Sequence, residues 1–505
     1  MEATERADLR RPPRLAPRVR APILPAVFVL TSVAAWALAE EWIAAAALWV
    51  LWAGWRYLRP DDGPPVLAMA FSFQWVQVTA GIYYYAGTGH RLPAMDVSDG
   101  RAMVLIGLGC LLALLVGLRG GMWVAERLGA NPLPGPERAF GWPALIMLYV
   151  GSVAVTGTVQ ELAWQFSGLT QGILALTYAR FALLFLMFRR LSQPRVRWRW
   201  IAIILAGEVA LGFTGYFAGF REPVMMAAVA LTGVFHRRNV KHWLVFGGLG
   251  VVAVLTGVLW MGIRTEYRRD FDSQVFEQSR EARLERIAEL TTRWAERGPN
   301  EIVSDVQFFV DRLWAIHFPA LALGRVPSLV PHEDGAILGR AVLHLLTPRL
   351  FFADKAVLQS DSEMVLRYSG VLVAGAGWRA AGQEKDTNIA FGYAGESYVD
   401  FGLPLMFLPV VVYGLFMGAV YRWLLALIWH RELAVALVTV VFWLSLYLFE
   451  RSWVKMLGLS VTLIVYLGGA TFLVDRFLLW RRRVRTGSSR ARRVIAPHVA
   501  GRRQD

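Results

Sequence analysis

The stretch His242-Trp-Leu-Val-Phe-Gly-Gly-Leu-Gly-Val-Val-Ala-Val-Leu-Thr-Gly-Val-Leu-Trp-Met-Gly-Ile263 holds no Asp, Glu, Lys or Arg between Lys241 and Arg264. As a helix rising about 1.5 Å per residue it reaches across a hydrocarbon core of about 30 Å. In lipid a single apolar segment satisfies its backbone polar groups only as a helix. Similar windows recur along the 505 residues at 22–39, 41–58, 65–86, 102–124, 140–160, 168–188, 199–217, 221–235, 401–422, 432–449 and 456–479. Composition agrees, with 56% hydrophobic and 18% charged residues where a soluble protein carries about 25% charged. The expected fold is all-α: a polytopic integral membrane protein of about twelve transmembrane helices, with one large external loop containing amphipathic helices. The lone Cys110 lies inside a span, so no disulfide framework and no cysteine metal site is expected.

The formal net charge of +15 is carried by short clusters flanking the spans: Arg189, Arg190, Arg195, Arg197 and Arg199; Arg237, Arg238 and Lys241; Arg481, Arg482, Arg483 and Arg485. That distribution is the positive-inside pattern rather than a nucleic-acid surface, and no soluble basic module interleaved with aromatics is present. Alternation of the connections predicts a cytoplasmic basic tail at 1–21, a bundle of about nine helices at 22–263, a large periplasmic loop at 264–400, about three further helices at 401–480 and a cytoplasmic basic tail at 481–505. The first span, with arginines before it and Ala37-Leu38-Ala39 at its end, shares features with a cleaved signal peptide. Its length and the span that follows at once favour an uncleaved anchor.

The segment from Arg264 to Val399 holds 16 Lys/Arg against 19 Asp/Glu, and long translocated loops escape the positive-inside bias. Residues 272–297 read as an amphipathic helix, with Phe276, Leu284, Ile287, Leu290 and Trp294 in one stripe and Glu289 paired to Arg293. Residues 302–323 approach span length, but Asp305, Gln307, Asp311, Arg312 and His317 are costly at mid-bilayer, so they read as one external helix against the bundle. Residues 337–347 read as a short apolar helix bearing Arg340 and His344.

Candidate functional residues gather at this external side. Arg221 opens a helix after Gly219-Phe220, and Arg264, with Arg268 and Arg269, closes the next span. They converge on an anion-attracting mouth or neutralise Glu222, Glu266 and Asp270 beside them. Arg349 and Lys355, in Thr347-Pro348-Arg349-Leu-Phe-Phe-Ala-Asp354-Lys355, bind phosphate oxygens or anchor the chain at the lipid head-groups. Glu396 and Asp400 are spaced i,i+4, so an early helix start puts both on one face, as a general base or as a hydrogen-bonded helix start. No His-Glu-x-x-His, Gly-x-Ser-x-Gly or Walker lysine motif occurs, and His317, His332 and His344 stand fifteen and twelve residues apart, so no metal and no cofactor is expected.

Three of these pieces resemble the bacterial O-antigen and exopolysaccharide repeat-unit polymerases, the Wzy-like family: the Gly219-Phe220-Arg221 helix start, Leu346-Thr-Pro348-Arg349-Leu-Phe-Phe-Ala-Asp354-Lys355, and Ile389-Ala-Phe-Gly392-Tyr-Ala-Gly395-Glu396-Ser-Tyr398-Val-Asp400-Phe401-Gly402. The likeness covers about Gly219 to Tyr421, and departs at Ala356, where the family often has proline. It implies a membrane-embedded glycosyltransferase of the bacterial inner membrane, both termini cytoplasmic and the active face periplasmic. A growing glycan would move from its polyprenyl diphosphate onto an incoming lipid-linked repeat unit. Arg221, Arg264, Arg349 and Lys355 would hold the diphosphate, Tyr398 the glycan, and Glu396, Asp400 or His344 the acceptor proton. The implied partners are polyprenyl-diphosphate-linked oligosaccharide, membrane lipids, and a chain-length regulator and flippase of the same route. Two alternatives are an O-antigen ligase, which shares the architecture, and a lipid-linked glycan flippase. A flippase needs charges along a central path and near-symmetric halves. Here mid-span charges are few, Glu208 and Arg180, and no internal repeat is evident.

Overall fold

The computed structural model describes residues 23–39, 42–60, 63–89, 100–132, 135–166, 168–193, 196–213, 219–235, 239–271, 280–349, 351–352, 355, 358–371 and 390–495. The expectations for the 1–21 tail, Phe276, Asp354, Ala356 and Ile389 fall outside the described residues.

Among the described residues regular structure is helical, with no strand. The first ten helices are α1 (Ile23–Ala39), α2 (Trp42–Leu58), α3 (Val66–Thr88), α4 (Gly100–Arg127), α5 (Trp142–Gln165), α6 (Thr170–Thr177), α7 (Ala179–Leu191), α8 (Trp198–Phe213), α9 (Arg221–Leu231) and α10 (Val240–Phe271). The polar segment contributes α11 (Arg280–Ala295), α12 (Pro299–Leu313), α13 (His317–Leu323), α14 (Ala336–Leu346), α15 (Asp361–Ser369) and α16 (Gly392–Phe401). The chain continues with α17 (Phe407–Leu427), α18 (Arg431–Leu446), α19 (Trp453–Thr462) and α20 (Gly468–Ile495). Seven helical stretches are long and apolar enough to cross a membrane: Val66–Thr88, Gly100–Arg127, Trp142–Gln160, Thr170–Leu191, His242–Arg269, Phe407–Leu427 and Trp453–Arg482. The protein is a helical membrane protein.

Two of these spans pack with their backbones in contact. On α4, Gly117 and Gly121 face Gly414 and Gly418 of α17. A Cβ on Gly121 would stand 2.0 Å from the Leu415 carbonyl oxygen, and one on Gly418 2.1 Å from that of Leu118. This is the small-xxx-small solution to helix association in lipid, where burial of apolar area drives little and close van der Waals contact drives much.

One end of the bundle is fastened by charges. Arg190 on α7 pairs with Glu432 on α18 at 2.5 Å, and the same carboxylate accepts the Ala139 N–H at 2.6 Å. Arg422 reaches Glu126 at 3.3 Å and Arg189 reaches Glu137 at 3.6 Å. Asp475 accepts the N–H groups of Trp429 and His430, both at 3.0 Å. The connections α4–α5, α7–α8 and α17–α18, expected on one side from their arginines, therefore meet at one end.

Three local expectations change. Residues 302–323 form two helices rather than one, because Trp314 is pinned to α3: its indole donates to the Val78 carbonyl at 2.8 Å, and the Ala315 N–H to that of Gln77 at 3.0 Å. The span expected from 401 begins at Phe407, after a break at Gly402, whose φ of 63° stops α16. Glu396 and Asp400 therefore sit on a separate helix ahead of the span. The amphipathic helix predicted over 272–297 is described from Arg280 to Ala295, with the Glu289–Arg293 ion pair present.

Candidate functional site

The site is built around the turn Tyr447–Trp453, which links α18 to α19. Two glutamines inside α3 hold it. The Gln77 amide donates to the Tyr447 carbonyl at 2.8 Å and its oxygen accepts the Phe449 N–H at 3.0 Å, while Gln74 donates to the Leu446 carbonyl and accepts the Tyr393 hydroxyl at 2.8 Å. Both are buried, and buried amides in a span persist only when paired. From the other side α16 begins at Gly392, whose φ is 81° and where a Cβ would lie 3.1 Å from the Phe449 carbonyl oxygen.

Cations collect on this turn. The Arg221 guanidinium, at the start of α9, stands 5.6 Å from the centre of the Tyr447 ring, and Arg451 stands 5.5 Å from the same ring. Arg451 also donates to the Leu444 carbonyl. Glu450 binds Arg312 of α12 at 2.6 Å, and its charge reaches Arg221. Arg312 in turn is a cationic neighbour of Arg264, whose guanidinium lies 5.0 Å from the Phe308 ring. The expected convergence of Arg221 and Arg264 thus runs through the Arg312–Glu450 pair. Both are half-buried, and among the described residues neither forms an ion pair or a hydrogen bond. The Glu222 carboxyl beside Arg221 accepts from the Tyr447 hydroxyl at 3.4 Å instead of pairing with the arginine.

The residues next to these arginines in the chain are apolar. Phe220, which precedes Arg221, and Ile263, which precedes Arg264, belong to one buried cluster with Phe213, Trp260 and Ile287. The Phe213 and Phe220 rings stack at 4.8 Å. The cluster borders an apolar cleft of about 610 Å³ between α8, α10 and α11, lined by Leu205, Val209, Phe213, Leu259, Leu284 and Ile287. That volume suits a small apolar ligand or a length of hydrocarbon.

The two expected carboxylates share one side of α16 and reach different helices. Glu396 is buried and accepts the Trp453 N–H at 2.7 Å, which caps α19, while Ser397 accepts the Trp453 indole N–H at 2.9 Å. Burial pushes the Glu396 carboxyl up to about 8, with Asp361 and Asp400 adding to the shift and the Trp453 amide opposing it. Asp400 accepts the N–H groups of Ile337 at 3.0 Å and Leu338 at 2.8 Å, so it caps α14, which has no side-chain cap of its own. Burial raises its pKa and these amides oppose the rise. The Tyr398 hydroxyl donates to the Val326 carbonyl at 2.8 Å, so its hydrogen is committed within the protein.

His344, Arg349 and Lys355 form a separate group at the other end of α14. The Lys355 ammonium donates to the His344 carbonyl, and Arg349 is exposed. Burial, then Lys355, then Arg349 push the His344 pKa down. The mid-span charges also find partners: Glu208 binds Arg180 and accepts the Tyr149 hydroxyl. Among the described residues no group of three or more His, Cys, Asp or Glu is placed to hold a metal ion.

Sequence reasoning missed Gln74 and Gln77, although two glutamines one turn apart in an apolar helix were a signal. It also missed Arg312, Glu450 and Arg451 as parts of the cation group. Comparison with protein-family models, with curated proteins and with solved structures finds no match.

Proposed function

We propose that this protein polymerises polyprenyl-diphosphate-linked oligosaccharide repeat units by glycosyl block transfer, at the external end of a bundle of about twelve spans in the bacterial inner membrane. The observation that carries the reading is the pair Arg221 and Arg264, two half-buried guanidiniums with no ion-pair partner among the described residues, whose chain neighbours Phe220 and Ile263 join the apolar cluster that borders a cleft. The charged neighbours of Arg264 are the cations Arg268 and Arg312, so an anion between them binds favourably, and Arg221, already compensated by Tyr447, Glu222 and Glu450, lies on the same cation group. The cleft accepts hydrocarbon. A ligand with a polyanionic head and a long apolar tail meets both conditions, and a polyprenyl diphosphate is such a ligand. The arginine fork matches its phosphate oxygens.

In the transfer, an acceptor hydroxyl oxygen forms a bond to the anomeric carbon of the growing glycan. The bond from that carbon to the diphosphate breaks, and its electron pair leaves on the diphosphate. Arg221 and Arg264 offset the charge that develops there, the largest stabilising effect in such a reaction. The hydroxyl proton passes to a carboxylate. Glu396 is assigned this role because Trp453 joins it to the same turn; with its carboxyl pushed up to about 8 it holds a proton at neutral pH and becomes a competent base as the pH rises toward that value. Asp400 and Tyr398 are outside this assignment because their partners, Ile337, Leu338 and Val326, are not on that turn, and His344, Arg349 and Lys355 because they belong to the separate group on α14.

The test is the purified protein in vesicles with a lipid-linked repeat unit, read as a product ladder. Arg221→Ala and Arg264→Ala should each lower chain formation by about 10²–10³ without loss of folded protein. A full ladder from the double variant would overturn the reading. In cells, deletion should leave single capped repeat units on the surface. An acceptor without any glycan would instead indicate a ligase, and units retained inside a flippase.

A further inference from the structure

The short helix α14 is apolar on the side that it does not bury. Ile337 and Ala341 face inward, whereas Val342, Leu343 and Leu346 are exposed, Leu343 at 63% and Leu346 at 68%. The turn that follows adds Phe351 at 77% and Phe352 at 50%. A helix that is apolar all round is at home inside a core or in lipid, not in water, and contiguous exposed apolar surface marks an interaction site. Two further observations identify the occupant. α14 packs along α19, the first turns of the span Trp453–Arg482, so it lies beside the outer end of a membrane-crossing helix. Within residues 336–355 the charged residues described are cationic, Arg340 and Arg349, both exposed, and Lys355, with Asp354 outside the described residues. Aliphatic and aromatic side chains bordered by Arg and Lys are the composition of a segment lying in the head-group boundary of anionic lipid. At eleven residues α14 is too short to cross, the length of an interfacial segment.

We infer that α14, together with Phe351, Phe352 and Lys355, forms an interfacial membrane anchor. Val342, Leu343, Leu346, Phe351 and Phe352 enter the acyl boundary of the same bilayer that the spans cross, and Arg340, Arg349 and Lys355 engage anionic phospholipid head-groups. The anchor holds the N-terminal end of α14, where Asp400 binds, against the bundle, and it does not depend on the glycan reading.

The test uses the full chain carrying Cys110→Ala, with Leu343→Cys or Phe351→Cys labelled by bimane. A Glu285→Cys label on exposed α11 serves as the water-facing reference. The protein is reconstituted in vesicles of phosphatidylcholine and phosphatidylglycerol containing phosphatidylcholine brominated on its acyl chains. The labels at 343 and 351 should be quenched by bromine and shielded from aqueous iodide, with the reference showing the reverse. Quenching at 351 should weaken when phosphatidylglycerol is omitted, and weaken equally in anionic vesicles when Arg349→Glu and Lys355→Glu are added. Iodide quenching at 343 and 351 equal to the reference would overturn the proposal. So would shielding from both quenchers, which would show that a second copy or another protein covers the patch.

Discussion

At the scale of single residues, Glu396 is where local chemistry and global stability meet. Its carboxyl is buried and held to about 8, above the ordinary value near 4.5, with burial as the first cause. The folded state therefore binds this proton more tightly than the unfolded chain does. The sign follows: stability falls as pH rises from about 4.5 to about 8, by an amount on the order of a few kcal/mol. Glu396→Gln keeps an oxygen for the Trp453 N–H and removes the titration, so its thermal midpoint in detergent, followed from pH 5 to 9, should decline less than that of the parent. Parallel curves would show that Glu396 titrates in its ordinary range. If Glu396 also takes the acceptor proton, polymerisation by the parent should rise with pH toward 8, and the Gln variant should lose activity at every pH. The spacing of Glu396 and Asp400 was readable in the sequence, but their partners were not. Glu396 binds a backbone amide 57 residues onward, and Asp400 binds amides 63 and 62 residues back. Only the tertiary fold decides which helix start a carboxylate will cap.

At the scale of elements, close helix contact makes a sharper prediction than hydrophobicity does. A Cβ on Gly121 would meet backbone oxygen at 2.0 Å, with nothing flexible to move aside. Gly121→Ala should force α4 and α17 apart and cost at least about 1–3 kcal/mol, seen as a lower thermal midpoint in detergent. Gly247→Ala on α10, where a Cβ would meet nothing within 4 Å, should be neutral or slightly stabilising. Equal effects at the two positions would remove close packing as the cause. Asp400→Ala strips the cap from α14 and should cost about 0.5–2 kcal/mol, detected as faster amide exchange at Ile337 and Leu338. Hydropathy located the middles of the long helices but not all of their ends: α10 runs on to Phe271 and α20 to Ile495, beyond the expected 263 and 479, because an apolar run marks the part suited to lipid and not the polar turns that continue the helix. It could not see the break at Trp314, which depends on the groove at Gly81 of α3, where a Cβ would meet that indole ring at 2.6 Å. The Gly117-x-x-x-Gly121 and Gly414-x-x-x-Gly418 spacings were legible, yet which two helices they would join was not.

At the scale of the whole molecule, the two ends of the bundle are chemically different, and that difference makes a prediction about sidedness. One end gathers Arg189, Arg190, Arg422 and the Glu432 and Asp475 clasps. The other holds Arg221, Arg264, Arg312, Glu450 and helices α11 to α16 of the long polar segment. Short arginine-rich connections stay in the cytoplasm while long polar segments are translocated regardless of charge. The first end should therefore be cytoplasmic and the second external. Glu137 and Ser328 are both exposed, on the first end and in the long polar segment respectively, and Cys110 is fully buried. In a Cys110→Ala background, a membrane-impermeant thiol reagent applied to spheroplasts should label Ser328→Cys at once and Glu137→Cys only after the membrane is opened. The reverse order would invert the molecule and turn Arg221 and Arg264 toward the cytoplasm. A lipid-linked glycan already delivered to the outer leaflet would then be out of reach, so this labelling pattern decides the polymerase reading before any enzymology.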